Sequence, residues 1–477
     1  MTEGRNGVQR TIAFQTLGCK LNQYETDALA ARFRDNGYRI VAPTDPADCY
    51  VINTCTVTNK GDRKSRNAIH RAVRLKERVL PVIANGASAA GHVPGLTQGF
   101  PSEEAIVVVT GCYVESAWDT ISNDTRVIAV PNDAKQSIFE LVDARMNGET
   151  LGPDELPRGV FNYGMQSQLF HTRAMIKIQD GCDNFCSFCI IPSVRGRAIS
   201  RPQDAILDEL RSLVDKGYRE IVLTGVNISR YADEKTGFSG LVEQMLDVDG
   251  DFRLRISSLE PDRINSHFLD LFEHPKMAPH LHLCLQSGSE RILLQMRRQY
   301  TASEYRRIAE TLREKYPDFN LTTDCIVGFP GETDEDFHAS CDMIRSIGFS
   351  HVHTFPYSRR QGTRAERMPD QVSEQEKKHR AAAIRELSYA GKLQYRRQME
   401  GRTQRLLVER VHDGFACGYT GHYIPVAVPV PVEMRSVELH NQFLPVRIER
   451  LPTPSSPDLD SDLRAPAHLT DVVQQAV

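Results

Sequence analysis

Three cysteines at CxxxCxxC spacing, Cys182, Cys186 and Cys189, constrain this chain more than any other feature of its sequence. They lie in one loop directly after a predicted strand, Ala174–Gln179. Cysteine thiolates hold iron–sulfur clusters, and three of them leave the fourth iron of a cubane free. Structural zinc needs four ligands, and the nearest flanking candidate for a fourth is His171. The spacing therefore favours an iron–sulfur site with one open iron.

From about residue 170 the sequence alternates between β-rich runs and stretches long enough for a helix and a loop. Six such runs are present: Ala174–Gln179, Glu220–Gly225, Arg253–Ser258, His280–Gln286, Leu321–Val327 and His351–Tyr357. This repeat predicts an open or partial β/α barrel, in which the ends of the strands carry the chemistry. A doubly wound sheet is the alternative that the pattern leaves open.

The first 150 residues follow a βαβ pattern. Short β-rich runs at Thr11–Thr16, Tyr50–Asn53 and Ile106–Thr110 end in turn residues, and Tyr24–Asn36 carries apolar residues at helical spacing. The pattern predicts a parallel sheet. Residues 80–104, rich in Gly, Ala, Ser and Pro, are predicted to form an inserted loop.

One cysteine follows each of these three N-terminal strands: Cys19, Cys55 and Cys112. No local motif joins them, but the ends of neighbouring parallel strands converge on one crevice. Three loops would then deliver three thiolates to one point and again leave one iron open. The alternative is three unrelated buried thiols.

The C-terminal part begins with a basic helical segment at 372–399. Short alternating runs at 401–451, broken by Gly and Pro, predict a small β-barrel. Residues 453–477 are rich in Pro, Ser and Asp and are predicted to form a disordered tail. No apolar run approaches the ~18 residues that a membrane helix needs, and the N-terminal residues contain no signal-peptide stretch. The chain is therefore expected to be cytoplasmic, with its eleven cysteines as thiols or metal ligands.

Three segments resemble the N-terminal domain of the methylthiotransferase family. They are GCKLNQYE at 18–25, NTCTV at 53–57 and TGCY at 110–113. The CxxxCxxC spacing is the hallmark of the radical S-adenosylmethionine superfamily, and a C-terminal TRAM barrel completes the family's order of parts. The resemblance covers about residues 10–450. It implies an α/β chain with a methylthiotransferase domain (9–150), a partial (βα)6 radical S-adenosylmethionine barrel (168–398), a TRAM domain (399–452) and a disordered tail (453–477).

The resemblance also implies the cofactors, which are two 4Fe-4S clusters and S-adenosylmethionine. Cys19, Cys55 and Cys112 would hold the auxiliary cluster, and Cys182, Cys186 and Cys189 the radical cluster. The implied S-adenosylmethionine contacts are Phe188 near the adenine, Thr224, Gly225 and Asn227 at the methionine amino group, Ser287 at the ribose, and Asp324 and Gly328 at the nucleoside. Each strand-end turn taken alone also has a purely structural interpretation.

The GCKLNQYE form resembles the branch that acts on threonylcarbamoyladenosine, the modified adenosine 3′ of the anticodon in tRNA, and converts it to the 2-methylthio derivative. Carbon 2 of adenine bears a hydrogen without useful acidity, so a radical route suits it better than acid–base chemistry. The expected partners are this tRNA, an electron donor of the flavodoxin or ferredoxin type and a sulfur donor. The alternatives are another tRNA base or a ribosomal protein as substrate, a non-catalytic iron–sulfur RNA-binding or electron-transfer protein, and a zinc scaffold.

Positive charge is concentrated in two stretches of a chain whose net charge is -4. Residues 60–78 hold eight Lys and Arg against two Asp and Glu, and residues 359–398 hold eleven against five. Both stretches favour contacts with phosphates over ordinary solvated faces. The candidate RNA contacts in the second stretch are Arg359, Arg360, Arg364, Lys377 and Lys378.

Overall fold

A computed structural model describes residues 9–84, 105–164, 169–431, 434, 438–449 and 465–469. The chain divides into two compact units. The N-terminal unit runs to His171 and includes Asp180–Cys182 and Cys189–Arg197, and the C-terminal unit contains the rest. Among the described residues, no helix has the length and apolar character to cross a bilayer.

The N-terminal unit is built on a five-stranded parallel sheet of order β2-β1-β3-β4-β5. Its strands are β1 Thr11–Thr16, β2 Arg39–Val41, β3 Cys49–Thr54, β4 Ile106–Gly111 and β5 Ile128–Ala129. Its helices are α1 Lys20–Asp35, α2 Asn59–Ala84, α3 Cys112–Ser116, α4 Trp118–Ser122, α5 Ile138–Met146 and α6 Ile191–Arg195. All six residues of β3 are buried, as expected for a central parallel strand covered on both faces. The predicted βαβ pattern is confirmed.

The long helix α2 extends further than the sequence suggests. It continues to Ala84, so the first residues of the predicted 80–104 loop are helical. Residues 85–104 lie outside the described part of the chain.

The C-terminal unit contains the predicted β/α repeat. Its parallel strands form two sheets, β10-β9-β6 and β11-β12-β13-β14, and a parallel bridge joins β10 to Met277, three residues before β12. The strands are β6 Ala174–Lys177, β9 Glu220–Thr224, β10 Arg253–Ile256, β11 Ser258–Leu259, β12 His280–Leu283, β13 Asn320–Val327 and β14 His351–Pro356, and the short strands β7 Gln179–Asp180 and β8 Ile199–Ser200 lie between β6 and α7. The helices are α7 Gln203–Asp215, α8 Phe238–Leu246, α9 Ser266–Asp270, α10 Glu290–Gln295, α11 Ala302–Lys315, α12 Asp334–Ile347 and α13 Glu374–Gln398. This is a partial β/α barrel, and the doubly wound alternative is wrong.

Strand alternation gives the barrel an apolar and a polar side. Leu281 and Leu283 of β12 join the core cluster that also contains the apolar faces of the barrel helices. The alternate residues His280 and His282 point to the opposite side of the sheet, where both are buried. A buried side lined with polar groups is suited to a polar ligand rather than to further hydrophobic packing.

The last five strands close into a small barrel of order β15-β16-β17-β19-β18. They are β15 Thr403–His412, β16 Phe415–Thr420, β17 Pro425–Pro429, β18 Phe443–Ile448 and β19 Ala465–Leu469. The prediction of a disordered tail over 453–477 is wrong for residues 465–469, because strand β19 pairs with both β17 and β18 and buries Ala467 in the barrel core. The Pro- and Asp-rich composition gave no indication of this strand, which pairs with the edges of β17 and β18 that would otherwise lack a partner strand.

Candidate functional site

The three N-terminal cysteines lie where the sequence predicts, at the carboxyl ends of neighbouring strands. Cys19 immediately precedes α1 after β1, Cys55 follows β3, and Cys112 begins α3 after β4. Strands β1, β3 and β4 are adjacent in the sheet. The sheet therefore presents three thiols along one edge.

Close backbone packing brings two of these loops together. Gly18 adopts a left-handed conformation with φ +104°, and a Cβ atom there would lie 2.9 Å from Cys55 Sγ. Burial raises the pKa of Cys55 to about 11, and the nearby thiols of Cys112 and Cys19 add to this shift. A thiol with a raised pKa, such as that of Cys55, stays protonated until a metal ion displaces the proton. Three sulfur donors at one sheet edge fit a cubane with one open iron.

A buried arginine, Arg195, contacts one of these thiols. Its Nε donates to Cys112 Sγ at 3.4 Å, and its Nη1 donates to Glu25 Oε1 at 3.0 Å and to Asp180 Oδ2 at 3.0 Å. Burial alone would lower the pKa of Arg195, but the carboxylates of Asp180 and Glu25 outweigh it and keep the guanidinium charged. A charged donor on a cysteine sulfur stabilises the thiolate form.

The network around Arg195 continues through Glu25. Lys135 Nζ donates to Glu25 Oε2 at 2.5 Å, and both side chains are fully buried. Asn22 accepts from Arg195 at 2.6 Å and donates to the carbonyls of Leu17, in the loop before Cys19, and Thr54, the last residue of β3 before Cys55. Sequence reasoning did not assign Asn22, Glu25, Lys135 or Arg195 to this site. The available signal was an Asn and a Glu in the first two turns of a helix that begins after Cys19.

The CxxxCxxC cysteines lie in residues 181–190, between β7 and α6, and all three are partly exposed. Gly181 precedes the first of them with φ +68°, and a Cβ atom there would lie 2.0 Å from the Arg197 carbonyl oxygen. Only glycine fits at this position. The Cys182 amide donates to the Gly196 carbonyl at 3.1 Å, which fixes the start of the loop.

A second buried arginine, Arg298, contacts the middle cysteine of this motif. Its Nη1 donates to Cys186 Sγ at 3.2 Å, and its Nη2 forms an ion pair with Glu260. The guanidinium also lies 5.0 Å from the centre of the Tyr300 ring. Burial alone would lower the pKa of Arg298, but Glu260 outweighs it and holds this pKa well above its usual value.

The predicted methionine-binding turn after β9 is buried and internally ordered. Thr224 and Asn227 are almost fully buried, and a Cβ atom on Gly225 would lie 2.9 Å from the Gln179 carbonyl oxygen. The amides of Val226 and Asn227 donate to Gln179 Oε1 at 3.0 and 2.7 Å. This side chain holds the turn in one conformation, and contact with S-adenosylmethionine stays a prediction.

Two other predicted cofactor residues have structural roles here. Ser287 is fully buried, and its hydroxyl accepts from the Ser289 amide at 3.2 Å. Gly328 has φ +70°, and a Cβ atom there would lie 2.3 Å from Lys377 Cγ. The absence of a side chain at Gly328 therefore leaves space for the aliphatic part of the Lys377 side chain. Phe188 packs against an apolar cluster that contains Met296.

Asp324, within β13, belongs to a cluster of three possible ligands with His282 of β12 and Cys284, which follows β12. Ligand atoms of His282, Cys284 and Asp324 lie within 4.8 Å of one another. Burial alone would raise the pKa of Asp324, but a hydrogen bond from His282 together with the electrostatic effects of His282, His353 and Arg298 outweighs burial, so this pKa lies below its ordinary value. Asp324 thus presents a charged carboxylate at the predicted nucleoside site.

The structure corrects two of the predicted RNA contacts. Arg360 and Lys377 are buried, with 7% and 4% of their surface exposed, so neither side chain lies on the surface. Lys377 Nζ donates to Glu374 at 2.8 Å. Arg359, Arg364 and Lys378 are exposed, and for them the prediction stands. The count of charged residues located the basic segment but could not show which of its side chains are buried and which are exposed.

One buried carboxyl on α1, Asp27, predicts an unusual dependence of stability on pH. It is fully buried, and burial raises its pKa to about 7, although a hydrogen bond from the Phe170 backbone opposes the shift. His171 Nε2 lies 3.8 Å from it. An acid whose pKa is raised by folding stabilises the fold only while protonated. This contribution is present below pH ~4 and is lost as the pH rises to about 7.

Asp27→Asn cannot ionise, so its stability should exceed that of the wild type above pH 7 by an amount on the order of 4 kcal/mol, and the difference should shrink towards pH 4. Urea unfolding monitored by the fluorescence of Trp118, the single tryptophan, measures this in the N-terminal unit. Parallel stability curves for the two proteins between pH 4 and 8 would contradict the assignment.

Two solved structures of a radical S-adenosylmethionine enzyme resemble this fold. The methyltransferase TsrM from Kitasatospora setae, with cobalamin and a [4Fe-4S] cluster bound, matches with a TM-score of 0.51 and 14% identity over 91% of this chain and 85% of that one. The same enzyme with tryptophan and a S-adenosylmethionine analogue bound matches with a TM-score of 0.51 and 16% identity over 72% of this chain and 73% of that one. At this level of identity the match describes the fold.

Sequence comparisons identify the family. Residues 176–344 match the radical SAM superfamily and residues 11–98 match the uncharacterized protein family UPF0004. The threonylcarbamoyladenosine tRNA methylthiotransferases MtaB of Thermotoga maritima and Bacillus subtilis are 33% and 35% identical to the chain, each over 87% of it and 90% of the relative. The tRNA-2-methylthio-N(6)-dimethylallyladenosine synthase of Syntrophus aciditrophicus is 33% identical over 84% of each chain. With two sets of three cysteines at strand ends and these relatives over most of its length, the chain belongs to the radical S-adenosylmethionine methylthiotransferase family.

Proposed function

We propose that this protein is a tRNA methylthiotransferase that converts N6-threonylcarbamoyladenosine, 3′ of the anticodon, into its 2-methylthio derivative. The observation that carries the proposal is the set of thiols at the ends of β1, β3 and β4, in a chain that also contains a CxxxCxxC loop. An enzyme that only generates a radical needs one such set. A second set provides a place at which sulfur is held before transfer.

The cofactors are two 4Fe-4S clusters and S-adenosylmethionine. We assign Cys182, Cys186 and Cys189 to the cluster that binds S-adenosylmethionine, and Cys19, Cys55 and Cys112 to the auxiliary cluster. When bound, these groups supply a methylated sulfur and a 5′-deoxyadenosyl radical, which replace the carbon 2 hydrogen of the base by a methylthio group. Three ligands at each cluster leave one iron open for S-adenosylmethionine or for sulfur.

Side chains of the chain support the two proposed cluster sites and the turn after β9. Arg298 and Arg195 each place a positively charged donor on one cysteine sulfur, at Cys186 and at Cys112. The turn after β9 is fixed by Gln179. The turn and the charged donors are already in place, so they need no rearrangement when charge develops during the reaction.

We assign residues 9–150 to the auxiliary cluster, residues 168–398 to the radical reaction and residues 399–452 to a TRAM domain that helps to hold the RNA. The partners proposed for the reaction are a flavodoxin or ferredoxin type electron donor and a sulfur donor. Because the substrate is tRNA, the proposed location is the cytoplasm. The target base must be unstacked to react, which an anticodon loop allows more easily than a duplex.

Expression in a bacterial strain that lacks its own threonylcarbamoyladenosine methylthiotransferase tests the proposal. The 2-methylthio nucleoside should return in digests of total tRNA, measured by liquid chromatography and mass spectrometry. The matched control is Cys19→Ala/Cys55→Ala/Cys112→Ala, which should not restore it. Methylthiolation of isopentenyladenosine alone would assign the enzyme to the branch of the family that modifies that nucleoside in tRNA. A modified ribosomal protein without modified tRNA would contradict the proposal.

A further inference from the structure

The exposed face of α2 carries only cationic and neutral side chains from residue 60 to residue 74. Its exposed residues are Lys60, Arg63, Lys64, Arg66, Asn67, His70, Arg71 and Arg74. We call these eight residues the α2 face. The opposite side of the helix, which includes Ala68, Ile69, Ala72 and Val73, is buried in the core of the N-terminal unit. The helix therefore has one fixed orientation and presents this charge to solvent.

The cations of the α2 face differ from several arginines on the barrel helices, which pair with carboxylates. Arg211 and Arg345 of the C-terminal unit each pair with a carboxylate three residues away. Within the described part of the chain, none of the six Lys and Arg of the α2 face forms an ion pair. Asp62, the acidic residue nearest the start of the helix, accepts from Thr56 at 2.6 Å and is partly buried. Asp62 also interacts electrostatically with Arg66, and one carboxylate beside six cations leaves a large excess of positive charge, which favours a polyanionic partner.

The α2 face begins at the three-cysteine edge of the sheet. Ser65, on the buried side of α2, donates to the Cys55 carbonyl at 2.9 Å and accepts from the Cys55 amide at 3.1 Å. Arg66 lies 5.9 Å from the centre of the Tyr113 ring, and Tyr113 follows Cys112. Helix α2 thus contacts the chain beside Cys55 and beside Cys112. From there the charged α2 face extends over about 21 Å.

We propose that the α2 face binds the phosphate backbone of the tRNA anticodon stem-loop and guides the strand that carries the target base to the three-cysteine edge. The inference rests on the proposed function. It adds a binding surface in the N-terminal unit to the exposed basic residues near α13. Phosphate contacts fix position rather than read sequence, which suits an enzyme whose specificity lies in one modified base.

The test compares two triple variants of equal net charge. Arg63→Gln/Arg71→Gln/Arg74→Gln removes charge from the α2 face. Arg211→Gln/Arg307→Gln/Arg345→Gln removes the same charge from barrel helices, where each arginine lies beside a carboxylate. Binding of a fluorescent anticodon stem-loop carrying threonylcarbamoyladenosine is measured by anisotropy at several salt concentrations, with iron per chain as the check on folding.

The α2-face variant should bind at least tenfold more weakly than the wild type at 0.15 M salt, and its slope of log affinity against log salt should fall by about two. The control should stay within about twofold, and both should keep the wild-type iron content. Equal losses in both variants, or an α2-face variant with unchanged affinity and slope, would overturn the inference and leave the proposed function standing. A wild type that does not bind the stem-loop would overturn both.

Discussion

Replacing Cys182, Cys186 and Cys189 together by alanine is expected to abolish the formation of 5′-deoxyadenosine from S-adenosylmethionine. The open iron that binds S-adenosylmethionine exists only if three thiolates hold the other irons. The same variant should fall from about eight irons per chain to about four, because each cubane holds four. Protein purified without oxygen, analysed for iron and sulfide and then reduced, gives both numbers from one preparation.

The matched control exchanges the other three cysteines. Cys19→Ala/Cys55→Ala/Cys112→Ala should also fall to about four irons but should still release 5′-deoxyadenosine, without methylthiolation of tRNA. This reciprocal result separates the two sites. If the wild type itself holds only about four irons, the auxiliary site is wrong, and zinc in place of iron would contradict the radical mechanism.

The second large effect is expected at Arg195. Its guanidinium neutralises Glu25 and Asp180, and the Arg195 and Asp180 side chains are almost fully buried. Arg195→Met keeps much of the volume but removes the buried positive charge that pairs with Asp180 and Glu25. Removing one partner of a buried ion pair costs about 3–5 kcal/mol. We therefore expect the N-terminal unit to lose that much stability and the auxiliary site to lose much of its iron.

Urea unfolding followed by Trp118 fluorescence measures the stability change, and iron analysis of the variant measures the second effect. Arg158→Met is the control, because Asp133, its partner at 2.7 Å, is half exposed and such pairs contribute less than about 1 kcal/mol. Arg195→Lys should retain the charge and part of the stability but cannot reproduce the guanidinium fork. A loss below about 1 kcal/mol in Arg195→Met would show that the network is not needed for folding.

The position of three cysteines at one edge of the sheet was predictable from sequence alone. Cys19, Cys55 and Cys112 each follow a β-rich run, and parallel sheets bring such ends together, so their common edge needed no three-dimensional information. The barrel was predictable for the same reason, since six β-rich runs with helix-length gaps have few alternatives. Each β-rich run is recognised from a short stretch of neighbouring residues, so local sequence was sufficient to predict these features.

The side chains that support the thiols were not predictable in this way. Arg195 contacts Cys112 across 83 positions of sequence and Glu25 across 170. Nothing local distinguishes it from Arg197, two residues later. Lys377 shows the converse error, because a lysine in a basic helix resembles a phosphate contact until its stem is seen to lie against Gly328. Whether a charged side chain can be buried depends on partners that are distant in sequence and whose interactions offset the cost of desolvation.

Strand β19 was missed for a different reason. Its five residues lie in a Pro- and Asp-rich stretch whose average composition indicates disorder. Only the open edges of β17 and β18 give this short segment a place to pair. Composition averaged over 25 residues cannot reveal a strand of five.

The most direct test of the central claim is analysis of the nucleosides from tRNA treated with the purified protein. The reaction contains reconstituted protein, S-adenosylmethionine, a reductant, sulfide and tRNA that carries either threonylcarbamoyladenosine or isopentenyladenosine, without oxygen. We expect the threonylcarbamoyladenosine peak to decrease and its 2-methylthio derivative to appear, with 5′-deoxyadenosine formed alongside it. Release of 5′-deoxyadenosine with both tRNAs unchanged would contradict tRNA methylthiolation as the function.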